Sequence, residues 1–182
     1  MYGMVNEGIH TFIQTNFGNE AWLSICQDAD IDLTQFDRMA SYDDAITYNL
    51  VGAVAKHTEL PPEKVLNVFG EYWVDFAGKS GFGNLLKLSG DSFIERVQNL
   101  DDMHERILMT MPELKPPSFE IEQLASDIYE LNYYSTRPGL AHMVIGLLKG
   151  LAEKTGETIK VELTHARENQ DDPDVFRIEV AK

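Results

Sequence analysis

Hydrophobic positions in the first two-thirds of the chain recur at helical spacing. Val5, Ile9, Phe12 and Ile13 stand at positions i, i+4, i+7 and i+8, which predicts an amphipathic helix over 3–16. The same spacing, with the turn and proline signals between the segments, predicts three further helices before residue 90. They cover about 19–28, 42–57 and 60–78.

The segment 90–112 has the strongest helical pattern in the chain. Its apolar positions follow one face of a single predicted helix. They are Phe93, Val97, Leu100, Ile107, Leu108 and Met111. Ser89 or Asp91 is expected to cap the start of this helix, and Pro112 to help to stop it.

Beyond the prolines at 116 and 117 the pattern changes to alternation with a period of two, which is typical of strands. Strands are predicted over 118–124, 127–136, 158–167 and 175–181, and a helix over 139–156. The fold class is therefore α+β. A mainly helical part, 1–112, is expected to pack on a four-stranded antiparallel sheet with an inserted helix, 113–182, as a single domain over 1–182 with a site between the parts.

Composition and charge argue against several classes of function. The chain has 182 residues and a formal net charge of −15, and no cluster of Lys and Arg is evident, so nucleic acid and an anionic membrane surface are not expected partners. Cys26 is the single cysteine and cannot form an internal disulfide. No stretch of about 20 apolar residues and no export signal occurs, which predicts a cytoplasmic protein. No nucleophile–base pair or open metal triad is found, so an enzyme is not expected.

One histidine falls on an apolar helix face. His104 follows Leu100 by four residues and precedes Ile107 by three. A histidine in this position needs a hydrogen-bond partner or a metal. On spacing alone, a hydrogen-bonded core histidine and a metal ligand both remain open. No His or Cys lies three or four residues away, so a metal that needs one protein ligand, such as haem iron, fits better than zinc.

A second cluster lies in the segment YYSTR, before a Pro-Gly turn. On a strand, Tyr133, Ser135 and Arg137 would present a phenol, a hydroxyl and a guanidinium to one face, and Tyr134 would face the other side. Three such donors suit a ligand with one or two carboxylates. An ordinary solvated strand face remains the alternative at this point.

Together these residues resemble a known family. His104 followed by Pro-Pro and then Tyr133, Ser135 and Arg137 is similar to the H-NOX domain, the haem nitric oxide/oxygen-binding domain that also occurs in the β subunit of soluble guanylate cyclase. The similarity extends over nearly the whole chain. It includes the segments MYGMVNEGI, FGEYWVDF, NLDDMHERI, PELKPPSFE, YYSTRPGL and MVIGLLKGLA.

The resemblance implies a role for each matching residue. His104 matches the proximal ligand of the haem iron, and Pro117 matches the proline that presses on the porphyrin and distorts it. Tyr133, Ser135 and Arg137 match the residues that hold the haem propionates. The implied cofactor is haem b, iron protoporphyrin IX.

Four further positions match the distal pocket: Trp73, Met143, Val5 and Leu147. Family members that bind oxygen stably use a distal tyrosine, and the matching position here is Met143, which cannot donate a hydrogen bond. The resemblance therefore implies nitric oxide, and carbon monoxide, as the bound gases. The indole N–H of Trp73 and the neighbouring His142 leave an oxygen-binding sensor of the same fold as an alternative.

The resemblance also implies a mechanism of signalling. Nitric oxide binds ferrous haem, the bond from iron to His104 breaks, and the helix that carries His104 shifts while the porphyrin relaxes against Pro117. A separate effector, a histidine kinase or a diguanylate cyclase in stand-alone bacterial relatives, would detect the shift. A haem-free interaction domain that binds a carboxylated ligand is the alternative from another class.

Overall fold

The computed structural model describes residues 1–181. The chain divides into two compact units, Met1–Phe69 and Gly70–Lys182. The expected single domain over the whole chain stays a prediction. Within residues 1–181, no helix combines the length and the apolar character needed to cross a membrane.

The first unit is helical, as its hydrophobic spacing predicts. Its helices are α1 (Gly3–Asp28), α2 (Asp44–Thr58) and the beginning of α3 (Pro62–Ala77). Gly18 has φ 87° and ψ 174°, so it interrupts α1 between the two helical stretches predicted from the sequence. Asp43 caps α2, because its carboxylate accepts a hydrogen bond from the backbone N–H of Ala45 at 2.8 Å. The core of this unit includes the fully buried side chains of Ile13, Trp22, Ile25 and Leu50.

The second unit contains the end of α3, a short π-helix at Gly78–Phe82 and four further helices. These are α4 (Gly83–Leu88), α5 (Phe93–Gln98), α6 (Leu100–Leu108) and α7 (Ala141–Thr155). The glycine-rich stretch that forms the π-helix and α4 carries little apolar periodicity, so its sequence predicts no regular element.

The prediction of one continuous helix over 90–112 is wrong. The chain breaks at Asn99 (φ −101°, ψ 11°), whose side chain donates to the carbonyl of Ser89 at 2.8 Å. A short polar side chain that bonds to backbone in this way competes with the helix. The cap of α5 is Ser92 and not Ser89 or Asp91, because Glu95 stands three residues later and completes a capping box.

The sheet is antiparallel with the strand order β1-β2-β4-β3, and α7 connects β2 to β3. Its strands are β1 (Ser118–Ala125), β2 (Ile128–Tyr134), β3 (Thr158–His165) and β4 (Asp174–Ala181). One face is buried in the same apolar cluster as α7. The buried residues of this cluster include Phe93, Leu131, Val144, Leu148, Phe176 and Ile178. The predicted four-stranded sheet with an inserted helix is confirmed.

Strand β2 ends earlier than its sequence pattern predicts. Tyr134 pairs with Ser118, the first residue of β1, and Tyr133 pairs with Asp174, the first residue of β4. Both neighbouring strands therefore begin where β2 ends, and no ladder partner remains for Ser135. The expectation that Ser135 and Arg137 share a strand face with Tyr133 is wrong for this reason.

Candidate functional site

His104 lies on α6 against the beginning of the sheet. Its ring centre is 6.1 Å from that of Phe119, and the ring of Phe119 is 5.4 Å from that of Tyr133. The side chain is half-buried, yet Nδ1 is buried and has no hydrogen-bond partner among residues 1–181. Buried polar atoms are normally satisfied, so this imidazole has the character of a side chain that binds another group.

The surroundings of His104 favour the neutral imidazole. Burial lowers the pKa of His104, and this effect outweighs the carboxylate of Asp101 and the backbone carbonyl of Pro117, which both act to raise that pKa. A metal ion binds imidazole through a lone pair that protonation removes. The residues present therefore fit an axial histidine ligand of a haem iron.

Asp101 ties the helix of His104 to the sheet. Its carboxylate accepts the hydroxyl of Ser118 at 2.6 Å and the backbone N–H of Phe119 at 3.0 Å. The hydrophobic pattern of the helix does not predict this contact of Asp101. Its position three residues before His104 was the available signal, because residues at that spacing share one side of a helix.

The three residues predicted to hold the haem propionates, Tyr133, Ser135 and Arg137, differ in environment. Tyr133 is 3% exposed and lies in the core. Ser135 follows the strand, and its hydroxyl accepts the backbone N–H of Arg137 at 3.1 Å. Arg137 is partly exposed, and its guanidinium donates to the carbonyl of Lys115 at 2.8 Å. The structure thus brings Arg137 to the proline-rich segment that contains Pro117.

Two helices that carry predicted distal-pocket residues, α3 and α7, approach closely within the second unit. A Cβ atom added to Gly70 would lie 2.2 Å from the carbonyl oxygen of Met143 and 2.9 Å from the amide nitrogen of Leu147. The end of α3, which carries Trp73, therefore packs backbone to backbone on the first turns of α7. Met143 and Leu147 are four residues apart, so they share one face of α7, and both are half-buried.

Trp73, His142 and Val5 are the remaining candidates, and all three are half-buried. Trp73 is half-buried, and its ring lies 5.7 Å from that of Phe76. His142 is half-buried on α7, where one residue of offset turns it by about 100° from Met143. Val5 is half-buried on α1 in the first unit, and its role stays a prediction. No group of three or more His, Cys, Asp or Glu residues within 1–181 is arranged to hold a metal ion.

Comparisons with known proteins agree with this architecture. The Haem-NO-binding family model matches residues 2–163. Soluble guanylate cyclase 89Db of Drosophila melanogaster is 27% identical over 154 residues, which cover 85% of this chain and 23% of that protein. Soluble guanylate cyclase gcy-33 of Caenorhabditis elegans is 30% identical over 152 residues, which cover 84% of this chain and 16% of that protein. The chain thus spans about a quarter or less of the length of these relatives.

Solved structures share the fold at low sequence identity. An H-NOX protein from S. oneidensis in the Fe(II)NO ligation state superposes with a TM-score of 0.89 at 19% identity, over 100% of both chains. The Fe(II) unliganded H-NOX protein from K. algicida gives a TM-score of 0.86 at 17% identity, over 100% of this chain and 97% of that one. Because the family model covers nearly the whole chain, this protein belongs to the haem-NO-binding, or H-NOX, family.

Proposed function

We propose that this chain is a haem-based sensor of nitric oxide, which also binds carbon monoxide, with His104 as the axial ligand of haem b. The observation that carries the proposal is the state of His104. Its Nδ1 is buried without a partner among the described residues, and burial lowers its pKa. A neutral imidazole with a buried nitrogen that has no partner, in a chain of this family, is suited to hold an iron.

The residues that would hold the cofactor lie on three segments of the second unit. His104 is on α6, Pro117 precedes β1, and Tyr133, Ser135 and Arg137 stand at and beyond the end of β2. Arg137 and Ser135 would bind the propionates, since a guanidinium pairs well with carboxylates. Bound haem would supply a ferrous iron that takes up a diatomic gas.

The signal, in this proposal, starts with the release of His104. Once His104 is no longer held at the iron, α6 keeps its attachment to the sheet through Asp101, which bonds Ser118 and Phe119. Asp101 is in the first turn of α6, so the later turns are the part of the helix left able to move. In this proposal α6 has two arrangements, one with His104 bound to the iron and one with His104 released. A gas ligand would shift the equilibrium between them.

The distal residues favour nitric oxide and carbon monoxide over oxygen. Met143 offers a thioether, which cannot donate a hydrogen bond to the partial negative charge of bound oxygen. Its helix is pressed against the end of α3 at Gly70, so there is little backbone room between the two helices at this point.

The effector in this proposal is a separate protein. A separate histidine kinase or diguanylate cyclase in the cytoplasm would respond to the position of α6. The relatives named soluble guanylate cyclase support a nucleotide cyclase as the general type of output.

Visible spectroscopy of the ferrous protein tests the proposal. We expect a five-coordinate unliganded form and a five-coordinate nitrosyl form, the latter because His104 is released. A stable oxy spectrum in air would instead identify an oxygen sensor. Failure of the protein to acquire a Soret band on reconstitution would favour a haem-free domain for a carboxylated ligand.

A variant of the ligand tests the axial assignment separately. His104→Gly is expected to hold haem only when imidazole is added, because the small base replaces the missing ligand. His57→Gly serves as the control, since His57 lies on α2 in the first unit and packs on Phe17. Imidazole-independent haem binding by His104→Gly would show that another residue binds the iron.

A further inference from the structure

Arg167 and Asp174 form a buried ion pair next to Ser135, one of the predicted propionate-binding residues. The backbone N–H of Arg167 donates to Oδ1 of Asp174 at 3.0 Å, and Nε of Arg167 lies 3.9 Å from Oδ2 of the same carboxylate. The side chains are 9% and 6% exposed, respectively. Charged residues are rarely buried to this degree unless they are paired, so the pair is a built feature of the β3–β4 hairpin.

The guanidinium of Arg167 also reaches the end of β2. One of its terminal nitrogens donates to the backbone carbonyl of Ser135, which has no ladder partner because the neighbouring strands begin at Ser118 and Asp174. Arg167 therefore supplies the hydrogen bond that the sheet no longer provides at this carbonyl. Because the donor is charged, the bond is stronger than an ordinary backbone bond.

The same short segment is fixed from its other side by its own side chain. The hydroxyl of Ser135 accepts the backbone N–H of Arg137 at 3.1 Å. Arg167 thus binds the carbonyl of Ser135, and the hydroxyl of Ser135 binds the backbone of Arg137. These two hydrogen bonds orient the backbone from which the side chain of Arg137 projects. Asp174 completes the arrangement, because it pairs with Tyr133 in the ladder and anchors Arg167.

We infer that Arg167, oriented by Asp174, is a positioning residue for the carboxylate-binding segment of Ser135 and Arg137. Arg167 acts through the backbone of Ser135. It would keep Arg137 aligned with the haem propionates although it lies on a different hairpin. This inference rests on the proposed function, in which that segment holds haem.

The rate of haem transfer from the reconstituted protein to excess apomyoglobin measures the effect. Arg167→Gln alone would leave the buried carboxylate of Asp174 without its positively charged partner, so the test uses Arg167→Gln with Asp174→Asn. We expect transfer about tenfold faster, the size set by one charge-assisted hydrogen bond. Arg177→Gln is the matched control, since Arg177 lies on the exposed face of the same hairpin and pairs with Glu179. Its transfer rate should stay at the wild-type value.

Combination with Arg137→Ala separates positioning from general stability. If Arg167 acts by aligning Arg137, the Arg167→Gln and Asp174→Asn pair should accelerate haem transfer much less in the Arg137→Ala background than in the wild type. Arg167→Lys, which keeps the charge opposite Asp174, should restore part of the slow transfer. An undiminished effect in the Arg137→Ala background, or no effect in the wild type, would overturn the inference.

Amide hydrogen exchange of the haem-free protein distinguishes failure of this inference from failure of the proposed function. The backbone N–H of Arg137 should lose protection in the variant with Arg167→Gln and Asp174→Asn, whether or not haem is ever bound. Unchanged protection would refute the positioning role. Lost protection in a protein that acquires no Soret band would refute only the haem assignment.

Discussion

Asp101 accepts a hydrogen bond from the hydroxyl of Ser118 at 2.6 Å, so the first turn of α6 is joined to the first residue of β1. The same carboxylate accepts the backbone N–H of Phe119. A buried or partly buried carboxylate that receives two donors is more important to the folded state than a solvated one. The helix of His104 is thus anchored on one side of that histidine.

Asp101→Asn should loosen this anchor, because both hydrogen bonds lose the charged acceptor that strengthens them. We expect a loss of about 1–3 kcal/mol in the free energy of unfolding, measured with urea. Asp102→Asn makes the same change at an exposed position of the same turn and should have little effect. Equal losses in the two variants would argue that charge, and not the contacts of Asp101, is responsible.

Much of the fold could be predicted because its elements follow the simplest patterns. Apolar spacing defined α1, α2, α3 and α7, and alternation defined the four strands. The break at Asn99 could not be predicted, because it depends on a side-chain bond to Ser89 ten residues away. The end of β2 was missed for a similar reason, since it is set by where β1 and β4 begin.

Some features of the candidate site could likewise be predicted from the sequence, and others depend on contacts between distant segments. His104 could be found from the sequence because a histidine on an apolar face is conspicuous, and the family resemblance that it supports is confirmed. The prediction that this chain is a sensor domain and not a catalytic one is confirmed by the same family match, which covers residues 2–163. The contacts of Asp101 and of Arg167 join distant segments, so only the folded structure reveals them. The individual roles of the predicted haem-binding residues stay predictions.

Gly70→Ala should disturb the contact between α3 and α7. A Cβ atom there would lie 2.2 Å from the carbonyl oxygen of Met143, and backbone cannot yield as a flexible side chain does. We expect a loss of about 1–3 kcal/mol in unfolding free energy, as for other overpacking substitutions, with a changed spectrum of the carbon monoxide complex. Gly52→Ala is the control, because Gly52 is exposed within α2 and no atom lies within 4 Å of its added Cβ. It should be neutral or slightly stabilising.

Glu95→Gln should alter the response of the protein to acid. Backbone hydrogen bonds from Ser92 and Asp91 lower the pKa of Glu95 below its usual value of 4.5 in the folded state. The ionised carboxylate therefore contributes stability above the unfolded pKa, and this contribution is lost as pH falls through the folded pKa. Urea midpoints measured between neutral pH and about pH 3 should fall less steeply in Glu95→Gln than in the wild type.

A neutral-pH comparison gives the control for this effect. Glu95→Gln should also lower stability at pH 7, because glutamine accepts the capping-box hydrogen bond without a charge. Glu113→Gln, at an exposed position after α6, should keep the wild-type acid profile. A parallel shift of both variants at every pH would contradict the assignment to Glu95.

Met143→Tyr should convert the chain toward oxygen binding. The phenol would add a hydrogen-bond donor on the face of α7 that also carries Leu147. A stable oxy spectrum in air, or at least a slower oxidation of the ferrous protein, is the expected result. Met143→Phe has a similar ring without the hydroxyl and should not bind oxygen stably. If both variants behaved alike, size and not hydrogen bonding would control the choice of gas.

Arg137→Ala should accelerate haem loss more than Ser135→Ala does. Arg137 can offer a charged planar fork to a propionate, whereas Ser135 can offer one neutral hydroxyl that already accepts the backbone N–H of Arg137. Loss of a charge-assisted bond should accelerate transfer to apomyoglobin by about tenfold or more, and loss of the hydroxyl by a few-fold through the altered turn. Both variants keep Tyr133 and the sheet unchanged, so the haem-free proteins should unfold at similar urea concentrations. Equal transfer rates in the two variants would mean that the guanidinium binds the backbone of Lys115 and leaves the propionates to other residues.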